Sequence, residues 1–69
     1  MLYAFLYVDK DGVKSERQVN VDTIGVDHVT RYCRSRRSRR TFRKDRIVRH
    51  EMVVIDTGEI LDVMTGEIK

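Results

Sequence analysis

The chain has 69 residues, of which 41% are hydrophobic and 36% charged, with a net charge of +3 and one cysteine. That length holds one small domain with a limited core, and the hydrophobic content excludes a wholly disordered chain. One thiol, Cys33, excludes an internal disulfide and a cysteine-built zinc site.

The net charge conceals a strong polarity. Residues 1–30 carry three basic and five acidic side chains, net −2. Residues 31–49, RYCRSRRSRRTFRKDRIVR, carry ten basic and one acidic, net +9. Residues 51–69 carry one basic and five acidic, net −4. In the basic stretch arginine outnumbers lysine nine to one. Guanidinium groups grip phosphate in bidentate fashion and stack on bases, which lysine does not do. A polyanion is therefore the expected partner, because each neutralised phosphate releases a counterion. An acidic protein surface would satisfy the same charge. A chain this short is marginally stable alone, so a homodimer or higher oligomer is also expected.

In chain order, residues 2–8, LYAFLYV, form an unbroken apolar and aromatic run that predicts a strand. Tyr3, Phe5 and Tyr7 share one of its faces; Leu2, Ala4, Leu6 and Val8 share the other. The run is too short to span a bilayer and lacks the flanks of a signal peptide, so a cytoplasmic protein without membrane association is expected. Asp9-Lys10-Asp11-Gly12 predicts a hairpin turn, since Asp-Gly supplies the positive φ such turns need. Val13 to Val21 alternates as a half-exposed strand, and Asp22 to Gly25 reads as a second turn with Gly25 as pivot.

Val26 to Arg34 predicts a third strand, with Val29, Arg31 and Cys33 facing one way and His28, Thr30, Tyr32 and Arg34 the other. Ser35 to Ser38 reads as a polar turn. Arg39 to Lys44 follows as a fourth strand with Phe42 pointing inward beside Arg40 and Lys44. Ile47, Val48 and Met52 to Ile55 make a fifth apolar stretch. The tail repeats IDTGEI (55–60) and VMTGEI (63–68), which predicts two successive tight turns with glycine in the left-handed position. A rival reading makes residues 27–49 a helix. It has no apolar residue between Cys33 and Phe42, so no stripe could bury it.

Catalysis has little support. His28 and His50 lack metal-ligand spacing with carboxylates, and the four glycines are isolated turn residues rather than a phosphate loop. Cys33 has no adjacent base to activate it. No enzyme activity, cofactor or metal is expected. The basic strand–turn–strand remains, with Tyr32, Arg34, Arg36, Arg37, Arg39, Arg40 and Arg43 expected to form one surface. Such a surface holds phosphates by arginine and stacks a base on Tyr32, which favours single-stranded nucleic acid and backbone tracking over sequence readout.

The YxDxDG hairpin, the SxRxV segment, Arg31-Tyr32-Cys33 and the closing stretch Arg40-Thr41-Phe42-Arg43-Lys44-Asp45-Arg46-Ile47 resemble the WYL domain family over roughly residues 3–48. The resemblance implies an all-β fold, a small, strongly bent five-stranded barrel of the Sm-like or SH3-like kind. It also implies a ligand-sensing regulatory role, with nucleic acid as the leading ligand, in transcription and related contexts. Carried onto this chain, it places Arg40, Arg43, Arg46, His28 and Tyr32 on the ligand surface. The eponymous Trp-Tyr-Leu run is missing, since the matching region reads Val26-Asp27-His28-Val29, and a module without an attached DNA-binding domain is expected.

The expected organisation is a barrel core over residues 1–55 with a short acidic hairpin extension over 56–69. The extension's charge would let it cover the basic surface. The expected function is a nucleic-acid-binding sensor module. The alternative is a protein-interaction or oligomerisation module that uses the Tyr3-Phe5-Tyr7 face and the tail.

Overall fold

A computed structural model describes residues 1–33 and 37–69. Among these residues seven strands form: β1 (Leu2–Val8), β2 (Lys14–Asn20), β3 (Thr23–Ile24), β4 (His28–Cys33), β5 (Ser38–Arg43), β6 (Glu51–Val54) and β7 (Ile60–Asp62). They build two antiparallel sheets, one in the order β2-β1-β6-β7 and the other β3-β4-β5. Among the described residues the rival helix over 27–49 is not formed: β4 and β5 lie within that segment.

The first hairpin follows its turn chemistry. Gly12 takes φ 81°, its N–H donates to the Asp9 carbonyl at 3.0 Å, and Asp9 Oδ1 accepts the N–H groups of Asp11 and Val13, each at 2.9 Å. An Asp that bonds backbone two and four residues on holds the bend, and β1 and β2 then pair along their full length, Leu2 with Asn20 through Val8 with Lys14. The second turn lies further on than the sequence suggests. Thr23 and Ile24 pair with Thr30 and Val29 as strand, and the tight bend runs from Gly25 to His28. At Gly25 a Cβ would stand 3.3 Å from the His28 carbonyl oxygen, a tight approach that glycine avoids.

Phe5, Val19, Val21, Val29, Phe42, Ile47, Met52, Leu61 and Val63 form one core shared by both sheets. Phe5, Tyr7 and Phe42 meet edge to face, with ring centroids 5.2 to 6.2 Å apart. Such contacts add about 0.5–1.5 kcal/mol per pair beyond area burial. The Tyr7 hydroxyl also accepts the Arg43 N–H at 3.1 Å, so one side chain of β1 fastens β5 of the other sheet. The aromatic face of β1, assigned above to a possible partner, is thus the inward face. Leu6, Val53, Ile55 and Ile60, on the outer side of this sheet, are among the exposed apolar residues.

In place of one closed five-stranded barrel, the described residues form two separate ladders, with no closed barrel among them. Between β5 and β6 the chain leaves extended geometry for two 3-10 turns, Lys44–Arg46 and Val48–His50, with only Ile47 bridging to Tyr7. Arg49 and His50 both take positive φ, 59° and 55°. Arginine is uncommon in that region and histidine less so, and the ladder breaks here without a glycine to announce it.

The two TGE segments repeat in structure as in sequence. Val54 donates to the Glu59 carbonyl and Asp62 to that of Glu67, each at 2.8 Å. Gly58 and Gly66 take φ 76° and 77°. In each turn the threonine hydroxyl accepts the glutamate N–H, Thr57 from Glu59 and Thr65 from Glu67. β7 pairs with β6, and Leu61 and Val63 lie in the shared core, so residues 56–69 contribute structure rather than only charge. Among the described residues no helix is long and apolar enough to cross a membrane.

Candidate nucleic-acid interface

The β4–β5 pair carries four of the eight described arginines, Arg31, Arg39, Arg40 and Arg43. Its register sets His28 opposite Arg43, Thr30 opposite Thr41, Arg31 opposite Arg40 and Tyr32 opposite Arg39. Opposite residues of an antiparallel pair project to the same side, so the arginines divide between two faces. One face continues the row of Val29 and Phe42, both buried, with Arg31 and Arg40. The other carries His28, Tyr32, Arg39 and Arg43. Arg37, at the turn before β5, holds φ 48°. The single surface expected from the sequence is thus two-sided: Tyr32, Arg39 and Arg43 share a face, and Arg40 lies on the reverse. Arg34, Ser35 and Arg36 fall outside the described residues. Arg46 is half-buried in the 3-10 turn that follows.

Charge pairing separates these arginines. Arg43 is already engaged: its Nη2 lies 2.7 Å from Asp45 Oδ2, and its Nε donates to Oδ1 at 3.1 Å. Among the described residues, Arg31, Arg37, Arg39 and Arg40 have no carboxylate within ion-pair distance. Part of the terminal acidic charge is paired locally. Lys69 Nζ lies 2.8 Å from Glu51 and 3.9 Å from Asp62. Its carboxylates make no ion pair with the β4–β5 arginines among the described residues.

Two clefts border this pair of strands. Val26, Asp27, His28, Arg43, Lys44, Asp45 and Met64 line one of about 410 Å³. Asp22, Thr23, Thr30, Tyr32 and Arg39 line the other, of about 460 Å³. Lys44 is 6% exposed, and no buried side-chain nitrogen or oxygen among the described residues lacks a partner, which fits a long stem packed inward. No group of three or more His, Cys, Asp or Glu side chains among the described residues is placed to hold a metal ion. Asp22 was not singled out by sequence reading. It lies ten residues from Tyr32, and only the β3–β4 pairing brings them together.

The exposed ion pairs give the fold a pH dependence. The Arg43 hydrogen bond holds Asp45 below the ordinary value of 3.8, and the Met64 and Thr65 N–H groups do the same for Asp62. The hydrogen bond to Glu51 raises Lys69 above 10.5. The carboxylates' contribution is complete above their unfolded value and disappears as pH falls through the lowered folded value. That of Lys69 is complete below its unfolded value and disappears as pH rises through the raised one. Melting temperature should therefore hold level near neutrality and fall on both flanks. Asp62→Asn should flatten the acid flank. An acid flank identical to that of the parent would contradict this assignment.

No family model, curated protein or solved structure matches this chain.

Proposed function

We propose that this chain is a nucleic-acid-binding module that grips the backbone of a single strand with its β4–β5 arginines and serves as a regulatory sensor. One observation carries the reading: Arg31 and Arg40 stand directly opposite each other across the strand pair, with no carboxylate at hand among the described residues. Like charges in that position destabilise a sheet. Phosphates of a bound strand seated against them remove the repulsion, each through a charge-assisted contact. Arg37, at the turn, and Arg39, on the reverse face of the same strand pair, likewise have no carboxylate at hand among the described residues, so a strand that wraps the turn end can meet both faces. Beside Arg39, Tyr32 offers an exposed ring, 46% accessible, on which a base can stack.

The WYL resemblance of the closing stretch Arg40 to Ile47 points to the same ligand class. On that reading, two sheets around one core are an open variant of the bent Sm-like barrel, opened at the 3-10 turns between β5 and β6. The test is fluorescence anisotropy with labelled single-stranded DNA and RNA across a salt series. Neutralising four phosphates predicts that the logarithm of affinity falls against that of salt with a slope of about −3. Binding that ignores salt, or none at low salt, contradicts the proposal.

A second reading has its own observation. Leu6, Val53, Ile55 and Ile60, each 37% to 45% exposed, lie on the outer side of the four-stranded sheet. Exposed apolar ground of this kind marks protein contacts, here a second copy or another protein. A stable dimer by light scattering with no oligonucleotide affinity would favour it.

A further inference from the structure

We propose that the cleft between β3, β4 and β5 is a base-reading site selective for an unpaired guanine nucleotide; this rests on the nucleic-acid reading above and extends it from backbone grip to base choice. The cleft, about 460 Å³, is within the size range of small-ligand sites and is lined by Asp22, Thr23, Thr30, Tyr32 and Arg39. Each lining group has a distinct chemistry. The Tyr32 ring is exposed and offers a face for stacking. Arg39, its cross-strand partner, has no carboxylate within ion-pair distance among the described residues and suits a phosphate. Thr23 and Thr30 pair across β3 and β4 and bring hydroxyls that donate or accept.

Asp22 decides the base. A carboxylate beside phosphate-binding arginines is out of place in a surface that only tracks backbone, because it repels the ligand. It is also held firmly. Its N–H donates to the Thr30 carbonyl at 3.0 Å, and its Oδ2 accepts the Tyr32 N–H. Oδ1 takes no hydrogen bond among the described residues, and Asp22 lines the cleft together with Tyr32 and Arg39.

An ionised carboxylate only accepts hydrogen bonds, so it selects bases by their donors. On the pairing edge, guanine presents two adjacent donors, the ring N1–H and the exocyclic amino group. Adenine and cytosine present one amino donor each, and uracil and thymine one imino donor each. A carboxylate set beside a stacking ring therefore favours guanine. Because a duplex occupies that edge, the site admits the base only when it is unpaired.

The test compares labelled oligoadenylate with the same oligomer carrying one central guanine, as DNA and as RNA, together with guanosine monophosphate as competitor. A single guanine should tighten binding by about tenfold, the scale of one good bidentate base contact. Asp22→Asn keeps an acceptor for the Tyr32 N–H. It should erase the preference without weakening the oligoadenylate complex, while Tyr32→Ala should weaken both oligomers. Displacement by the mononucleotide would identify a free nucleotide as sufficient ligand. Its failure beside a clear guanine preference would place the guanine within a strand. Equal affinity for both oligomers, with steep salt dependence retained, would overturn the guanine site and leave the arginine grip standing. Absence of all binding would overturn both.

Discussion

Replacing Arg31 and Arg40 together by glutamine should stabilise the free protein and weaken its nucleic-acid complex. The two stand directly opposite on neighbouring strands without a carboxylate partner among the described residues. Relief of such a pair is worth about 0.2–1 kcal/mol, which raises the melting temperature of a domain this small by about one to several degrees. Glutamine keeps much of the aliphatic stem, so the half-buried Arg31 loses little packing. In the complex, two phosphate contacts vanish. The salt slope should shallow by about 1.4, and affinity at low salt should fall by about tenfold or more. Opposite signs in the two measurements distinguish a binding surface from a merely solvated charged face. On a solvated face stability would rise and binding would not change.

The second large effect concerns the tail. Truncation after Ile55 should leave a chain without a cooperative unfolding transition. It removes β7, the partner of β6, and with it Leu61 and Val63, which are 6% and 1% exposed. Each buried side chain of this kind contributes about 1.5–3 kcal/mol. Domains of this length hold in total only about 3–10 kcal/mol. Far-UV circular dichroism through a thermal ramp decides it. A truncated chain that melts cooperatively and binds as the parent does would show that residues 56–69 are a dispensable extension. Cover of the basic surface by the tail is better examined by Glu59→Gln with Glu67→Gln. Both residues are exposed, so the fold should survive and any gain in affinity would report on charge alone.

Much of the fold was legible where chemistry is local. Asp9 and Gly12 specify the first hairpin by a side-chain acceptor and a positive φ, and the repeated Thr-Gly-Glu specifies the two tail turns in the same way. Alternation along Val29 to Cys33 and Arg39 to Lys44 gave the strands and the inward Phe42. Features that depend on distant contacts were not legible. Thr23 and Ile24 are strand only because Thr30 and Val29 pair with them. Arg49 occupies left-handed geometry that its side chain does not ask for, with His50 beside it in the same region; the chain takes it where Ile47 bridges to Tyr7 and β6 returns alongside β1. The fold of Leu61 and Val63 into the core was hidden by the acidic residues around them.

The site divides in the same way. Its charge was written in one run of residues, whereas its two-sidedness followed from the register of Tyr32 with Arg39 and Arg31 with Arg40. Asp22 carried no signal, because a lone aspartate before a presumed turn has an ordinary explanation in turn chemistry.

The most direct test of the arginine grip is an amide-resolved NMR titration of the labelled full chain with a short single-stranded oligonucleotide at low salt. The account predicts the largest shift changes at Arg31, Tyr32, Arg39 and Arg40, with β6 and β7 little altered. Changes centred on the outer apolar residues Leu6, Val53 and Ile60, or a spectrum that does not respond to the oligonucleotide, would contradict it.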